Sequence, residues 1–277
     1  MRYFVQLSYD GTAYHGWQIQ PNGVSVQETL QKALSTILRM DVEVVGAGRT
    51  DAGVHARMMV AHMDCSVDLD CIQLAYNLNK LLPPDIAVQR IWPVADDMHA
   101  RYSATSRTYH YYIHTRKSPF LRHYSWLVTF PLDFQLMNKA ARRLFDYRDY
   151  SSFCKTKSDA NTHFCYITEA RWEQLEPDQW RFTITANRFL RNMVRAIVGT
   201  LVEVGRGRMT LEEFCLAIEL HDRCAAGDSA PGHALFLTDV RYDLKDLKDS
   251  NDLKVPKDLK VPKDLKDPKV LKEEGTL

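Results

Sequence analysis

Apolar and polar residues follow regular periods through the first hundred residues of the chain. Strict alternation predicts half-buried strands, and apolar residues that recur every three or four positions predict helices with one buried face. A Ser25–Glu28 capping box opens the first helix, and Pro83 and Pro84 close the second. The predicted elements are strands at 2–9, 42–45, 60–65 and 86–94 and helices at 25–39 and 69–82. Their order, β-α-β-β-α-β, is that of a ferredoxin-like unit.

The pattern restarts after about residue 104, again with a strand before a helix. A second capping box, Thr210 with Glu213, opens a short helix near its end. The predicted elements are strands at 107–115, 163–175, 180–187 and 234–242 and helices at 133–145, 188–205 and 211–220. We therefore predict an α+β fold of two ferredoxin-like halves around a central cleft, with one domain over 1–104 and a second over 105–242.

The last part of the chain has a different pattern. From Leu253 it repeats with a period of six residues, as LKVPKD, LKVPKD and LKDPKV. A proline in every repeat prevents a continuous helix, and the isolated Leu and Val residues cannot form a core. We predict that 243–277 is a disordered, low-complexity tail, with an interaction segment as the weaker alternative.

The composition is that of a globular protein large enough to bury a core, with 277 residues of which 45% are apolar. No run approaches the ~20 apolar residues of a membrane helix, and the start of the chain lacks a secretory pattern. We therefore expect a cytoplasmic protein without a membrane partner. The six cysteines have no metal-ligand spacing, so we expect no metal site. With 36 basic and 35 acidic residues, a polyanion would have to bind a local basic patch.

A glycine-rich segment between two predicted strands, Gly46-Ala-Gly-Arg-Thr-Asp-Ala-Gly-Val-His55, is the first candidate site. Its glycines let the backbone approach a ligand closely, and Arg49 and Asp51 supply opposite charges two residues apart. The alternative is a tight turn in which Asp51 caps a backbone N–H. The segment lacks the lysine of a phosphate-binding loop, which argues against a nucleotide-dependent transferase.

The strand predicted at 107–115 is the second candidate. A period of two places Arg107, Tyr109 and Tyr111 on one face. Aromatic rings beside a cation can stack on an unpaired nucleic-acid base. The alternative is that these tyrosines are ordinary strand-forming residues whose hydroxyl groups find nearby partners.

The helix predicted at 188–205 is the third candidate. At 100° per residue, Arg188, Arg191 and Arg195 would share one sector opposite an apolar stripe. Three guanidinium groups in the first turns would add to the helix dipole in attracting phosphate or carboxylate. The alternative is a solvated basic face.

Taken together, four motifs in this order resemble the bacterial tRNA pseudouridine synthase A family. The motifs are Tyr9-Asp-Gly-Thr-Ala-Tyr-His-Gly-Trp-Gln-Ile-Gln20, Gly46-Ala-Gly-Arg-Thr-Asp-Ala-Gly-Val-His-Ala56, Arg101-Tyr-Ser-Ala-Thr-Ser-Arg-Thr-Tyr-His-Tyr111 and Phe189-Leu-Arg-Asn-Met-Val-Arg-Ala-Ile-Val-Gly-Thr-Leu201. The resemblance runs over 1–242 and leaves the tail without a counterpart. It implies the pseudouridine synthase fold, in which the two halves form one continuous, mostly antiparallel sheet.

The resemblance also implies a homodimer that needs no metal or organic cofactor and isomerises uridine to pseudouridine at positions 38, 39 and 40 of the tRNA anticodon stem-loop. It assigns Asp51 as the nucleophile, Arg195 as its basic partner and Tyr109 as the ring that packs on the target uracil. Three more arginines are expected to bind the RNA: Arg49, Arg107 and Arg191.

These side chains suit that reaction. The isomerisation breaks the C1′–N1 bond, turns the base and joins C1′ to C5, and a carboxylate can attack and leave again without a cofactor. Burial disfavours a charged carboxylate, so an arginine is needed to keep Asp51 ionised. A uracil inside a stem must be flipped out, and an aromatic ring then replaces the lost stacking.

Two segments depart from the family pattern. Met58-Met59 stands where a small residue and Gln are expected, and Ala230-Pro-Gly-His-Ala234 exchanges the small residues of the family's A-P-A-x-G. Both departures bear on substrate detail rather than on the reaction. A noncatalytic RNA-binding module remains the alternative function, because RNA-recognition domains also carry aromatic residues on strands of such halves.

Overall fold

The computed structural model describes residues 1–156 and 161–243 of the chain. The strands in those ranges are β1 (Arg2–Tyr9), β2 (Val44–Gly46), β3 (His55–Asp64), β4 (Ile86–Val94), β5 (Ala104–His114), β6 (Trp126–Leu127), β7 (Ile167–Glu176), β8 (Gln179–Ala186) and β9 (Leu235–Tyr242). The α-helices are α1 (Val26–Leu38), α2 (Cys71–Leu81), α3 (Phe134–Arg143), α4 (Met193–Gly205) and α5 (Leu211–Glu219). Apart from Asp243, the predicted tail lies outside the described residues. Among the described helices, none is long and apolar enough to cross a membrane.

All of these strands belong to one sheet, in the order β4-β1-β3-β9-β5-β8-β7, with β2 on β3 and β6 on β5. Neighbouring strands are antiparallel except at the pairs β3–β9 and β5–β6. The two halves repeat one arrangement. In the N-terminal half β1 lies between β4 and β3, and in the C-terminal half β5 lies between β9 and β8. The predicted α+β class with a continuous, mostly antiparallel sheet is confirmed. The predicted domain boundary falls at the first residue of β5, and the division into two domains stays a prediction.

Strand β3 has two different neighbours along one edge, and the sheet is open between them. β2 pairs with the C-terminal part of this strand, at Ala61 to Met63, whereas β9 pairs with its first residues, His55 and Ala56. The glycine-rich segment leaves β2 and returns to β3 at this opening. The loop therefore lies where the N-terminal half meets the C-terminal half.

Strand β5 runs through the centre of the C-terminal half and alternates as predicted. Arg107, Tyr109, Tyr111 and Ile113 are buried, and the residues between them are partly exposed. One face of β5 is thus covered while the other is open to solvent. The predicted common face of Arg107 and Tyr109 is confirmed.

The helix predicted at 188–205 begins only at Met193, so its first five predicted residues are not helical. Asn192 adopts a left-handed conformation with φ of 67°, and the Lys155 N–H donates to the Arg191 carbonyl at 3.0 Å. These contacts hold the segment before α4 in an irregular path. The predicted arginine face is therefore wrong, because Arg195 lies on the helix and Arg188 and Arg191 do not.

The bounds of several other elements also differ from the prediction. β3 begins at His55, five residues before the predicted start, because its first residues pair with β9. β7 begins at Ile167 rather than at 163, and the two-residue strand β6 was not predicted. Strand β4 has the predicted bounds, and the capping box at Thr210 and Glu213 is confirmed in full.

Candidate active site

The loop at 47–54 is held against the turn at 14–17 by backbone contacts. The Trp17 N–H donates to the Thr50 carbonyl and the Gly53 N–H donates to the Tyr14 carbonyl, both at 3.2 Å. The hydroxyl groups of Tyr9 and Thr50 are 2.8 Å apart in the buried interior. The backbone on both sides of Asp51 is thereby fixed before any substrate binds.

Gly16 makes this close approach possible. Its φ is +93°, and a Cβ atom built on it would lie 2.3 Å from the Thr50 carbonyl oxygen. A side chain here would be strained by its own backbone and would push the loop away. The turn at 14–17 therefore requires glycine at this position.

We expect Gly16→Ala to lower turnover at least tenfold and to lower the melting temperature by several degrees, because both the φ angle and the contact with Thr50 oppose a Cβ atom. Thermal unfolding and the reaction rate on RNA would measure this. Gly48→Ala is the matched control, since a Cβ on Gly48 meets nothing within 4 Å. Equal losses in the two variants would contradict the role of the Gly16 contact.

Asp51 and Arg195 form an ion pair across 144 residues of sequence. The Arg195 Nη1 donates to Asp51 Oδ2 at 2.9 Å, and its Nε donates to the Ala230 carbonyl at 2.7 Å. The Arg195 side chain is 22% exposed to solvent, and the Asp51 side chain is 29% exposed. The arginine is thus held at two points, and the carboxylate stays accessible from solvent.

Tyr109 lies on β5 close to this pair. Its ring packs edge-to-face on Phe189 with the centroids 5.2 Å apart, and 9% of the residue is exposed. Burial raises the pKa of Tyr109 to about 12, the charge of Arg107 opposes this shift, and the charge of Asp51 adds to it. Tyr109 is therefore a neutral phenol within the electrostatic range of the Asp51 carboxylate.

Arg107 is buried beneath the loop, and its guanidinium donates four hydrogen bonds to backbone carbonyl oxygens. Its Nη1 donates to Ala104 and Asn187, each at 2.8 Å, and its Nη2 donates to Ala47 at 3.0 Å and to Arg101. Burial lowers the pKa of this guanidinium. One side chain thus joins the loop that carries Asp51, the turn before β5 and the segment that leads to Phe189. These contacts favour a positioning role over direct RNA binding.

We expect Arg107→Met to destabilise the fold by about 2 kcal/mol or more, because buried carbonyl groups would lose their donors. Turnover should fall with it, since three segments around Asp51 lose their common anchor. Denaturant unfolding and the reaction rate would report both effects. Arg241→Met is the control, since that side chain is 73% exposed and pairs with Asp239 on the same sheet. A fold as stable as wild type would refute the anchoring role.

The other predicted arginines lie around this group. Arg49 and Arg191 are exposed and Arg188 is half-buried. Arg49 precedes Asp51 by two residues, and the segment with Arg188 and Arg191 also carries Phe189, which contacts Tyr109. The structure therefore brings these arginines near the loop through an irregular segment rather than through a helix face.

His55 is a buried residue at the end of this loop that the sequence analysis did not single out. Its ring is 1% exposed, its Nδ1 accepts from the Gly11 N–H at 3.0 Å, and its Nε2 is 3.0 Å from the His233 carbonyl. It also stacks on Phe236 with the centroids 4.5 Å apart. A histidine four residues after Asp51 at the start of a strand was the available signal. His55 ties the end of the loop to the last segment of the fold.

The two departures from the family pattern have physical explanations. Met59 is fully buried and Met58 is packed against the core. A Cβ on Gly232 would lie 2.8 Å from the Ala52 carbonyl oxygen and 3.9 Å from Cζ of Arg195. The exchange to glycine at 232 thus lets this turn approach both the loop and the ion pair.

Known proteins resemble this chain over most of its length. A family model described as tRNA pseudouridine synthase matches residues 6–103 and 140–243. A tRNA pseudouridine synthase A of Bacteroides thetaiotaomicron is 60% identical over 243 residues, covering 87% of this chain and 90% of the relative. The corresponding proteins of Parabacteroides distasonis and Bacillus subtilis are 55% and 40% identical, over 87% and 88% of this chain and 96% and 100% of their own lengths. This chain belongs to the tRNA pseudouridine synthase family.

Proposed function

We propose that this protein isomerises uridine to pseudouridine in tRNA, at positions 38, 39 and 40 of the anticodon stem-loop. The observation that carries the proposal is the Asp51–Arg195 ion pair, 2.9 Å long, in a loop at the junction of the two halves. The names of the relatives support the tRNA substrate and the reaction. The three positions rest on the resemblance of the motifs.

Asp51 is proposed as the nucleophile. A carboxylate that attacks the nucleotide and then leaves again lets the C1′–N1 bond break and the C1′–C5 bond form with no net consumption of a co-reactant. Arg195 holds the carboxylate in one orientation, because its own position is fixed by the Ala230 carbonyl. The hydrogen displaced from C5 leaves as a proton when the new bond forms, and N1, which keeps the electron pair of the broken bond, takes up a proton from water. This chemistry needs neither a metal nor an organic cofactor.

Tyr109 is proposed to pack on the flipped uracil. Its buried neutral ring beside Phe189 offers an apolar surface next to Asp51. A flipped base loses its neighbours in the helix, and an aromatic side chain restores part of that stacking energy. Arg49 and Arg191, both exposed, are proposed to contact the RNA backbone, where each would contribute salt-dependent affinity.

A noncatalytic RNA-binding module is the less favoured function. Such a module needs aromatic strands and basic residues but has no use for a carboxylate paired with a guanidinium beside an aromatic ring. The relatives, moreover, are named as synthases, and this chain matches them over nearly their whole lengths. We further propose that the enzyme is a cytoplasmic homodimer and that its two domains meet near residue 104.

The purified full-length protein tests the proposal. Three unmodified tRNA transcripts, each with a single uridine among positions 38, 39 and 40 and tritium at its C5, should each release tritium on incubation. Chemical labelling of pseudouridine would map the product. A transcript with cytidine at all three positions is the control. Tight binding of the transcripts without release of tritium would overturn the proposal and favour the RNA-binding module.

A further inference from the structure

A single exposed aromatic ring stands on the turn that precedes β5. Tyr102 is 75% exposed, one of the most exposed large apolar side chains among the described residues. Most of the ring surface is therefore available to a ligand, and an aromatic ring buries a large apolar area when a partner covers it. The mechanism above gives this side chain no role.

The backbone that carries this ring is held in a closed turn. The Ser103 N–H donates to the His99 carbonyl at 2.9 Å, and the His99 N–H donates to Ser103 Oγ at 3.0 Å. The N–H groups of Arg101 and Tyr102 both point to Nδ1 of His99, at 3.1 and 3.3 Å. The turn is therefore closed by four hydrogen bonds, so its backbone need not be ordered when a ligand binds Tyr102.

Neighbouring side chains orient the ring. The His99 ring lies 4.4 Å from that of Tyr102, and the guanidinium of Arg101 lies 5.6 Å from its centroid. His99 in turn packs on His62, and Nδ1 of His62 accepts from the Ala100 N–H at 3.1 Å. An aromatic ring beside a guanidinium, both facing solvent, is the pairing that binds a base and its phosphate.

The Arg107 side chain links this turn to the loop that carries Asp51. The Arg107 Nη2 donates to both the Arg101 carbonyl and the Ala47 carbonyl. Ala47 precedes Asp51 by four residues, and Tyr102 follows Arg101 directly. Tyr102 therefore follows a residue whose backbone shares the Arg107 guanidinium with the loop that carries Asp51.

We propose that Tyr102 is a stacking platform for an unpaired base of the substrate RNA next to the uridine being modified. This proposal rests on the proposed function and adds a second aromatic contact to it. Tyr109 is buried and belongs to the target base, whereas Tyr102 is exposed and can cover only a base outside the pocket. Stacking does not depend on base identity, because every base has an aromatic face. Such a contact would hold anticodon loops of different sequence.

Binding of a fluorescein-labelled, unmodified anticodon stem-loop RNA tests this role. Tyr102→Ala should weaken binding about tenfold, which lies within the range for the loss of one stacked base, and Tyr102→Phe should bind as wild type does. Tyr76→Ala is the matched control, since Tyr76 is 55% exposed with the Lys80 ammonium 4.3 Å from its ring, on α2 beside the edge strand β4. Equal binding by the Tyr102→Ala and Tyr76→Ala variants would overturn the proposal.

Abasic substitutions identify the stacked nucleotide. A series of stem-loops, each with one loop base removed, should contain a position whose loss weakens wild type about tenfold but leaves Tyr102→Ala unaffected. If the two effects multiply at every position, Tyr102 stacks on no loop base and the proposal fails. A failure of the proposed function is a separate result, because it would appear as wild-type protein that binds the RNA and releases no tritium.

Discussion

Asp51→Asn should lower the rate of pseudouridine formation at least about 10⁴-fold, the scale observed when an enzyme loses its nucleophile. Asparagine has nearly the same shape as aspartate, so the loop and its contacts should be kept. An amide cannot attack and leave as a carboxylate does. Affinity for tRNA should be unchanged or higher, because the variant removes a negative charge from a surface that meets a polyanion.

Tritium release under single-turnover conditions measures the rate, and fluorescence anisotropy measures the binding. Asp239→Asn is a closely matched control. Asp239 is also paired with an arginine, Arg241, at 2.7 Å, and its side chain is 30% exposed, against 29% for Asp51. Turnover by the Asp51→Asn variant at a tenth of the wild-type rate or more would remove Asp51 from the role of nucleophile.

Arg195→Met should lower the single-turnover rate by about two to three orders of magnitude, with a smaller change in tRNA affinity. The substitution removes the donor to the Asp51 carboxylate and the donor to the Ala230 carbonyl together. A carboxylate without its guanidinium partner loses the charged hydrogen-bond donor that fixes its orientation. Arg195→Lys should recover only part of the rate, because one ammonium cannot reproduce the fork of a guanidinium.

Arg195→Met also removes the hydrogen bond to Ala230, so a second variant is needed to separate the loss of this contact from the loss of the ion pair. Arg223 donates to the carbonyls of Ala226 and Gly227 at 3.3 and 3.1 Å, and to Ser229 Oγ at 2.9 Å. It thus holds the same segment through contacts that are separate from the Asp51–Arg195 ion pair. Arg223→Met should therefore disturb the same segment while leaving most of the activity. If Arg223→Met is as inactive as Arg195→Met, the loss in Arg195→Met reflects the segment rather than the ion pair.

Much of the secondary structure follows from the sequence, because it depends on neighbours that are close along the chain. Alternation predicted β1 with its observed bounds, β4 was also predicted with its observed bounds, and the buried face of β5 followed from a period of two. The capping box at Thr210 closes with side chains three residues apart. In each case the deciding contacts join residues that are close in sequence, so a short window of residues is enough to predict the element.

The segment at 188–192 shows where such reasoning fails. Its apolar spacing is that of a helix, but Asn187 exchanges hydrogen bonds with Tyr166 and accepts from Arg107, and Lys155 donates to Arg191. These three partners come from other parts of the chain. Tertiary hydrogen bonds that satisfy the backbone outweigh the modest helix propensity of five residues.

The sequence by itself determined the periodic strands, the covered face of β5 and, through four motifs, the family of the chain. Only the tertiary structure decided that the guanidinium of Arg195 lies 2.9 Å from the Asp51 carboxylate, and that Arg107 serves the backbone of three segments instead of facing solvent. The physical reason is distance along the chain. Asp51 and Arg195 meet because β9 pairs with both β3 and β5 and closes the two halves around one loop, and no local pattern encodes that pairing.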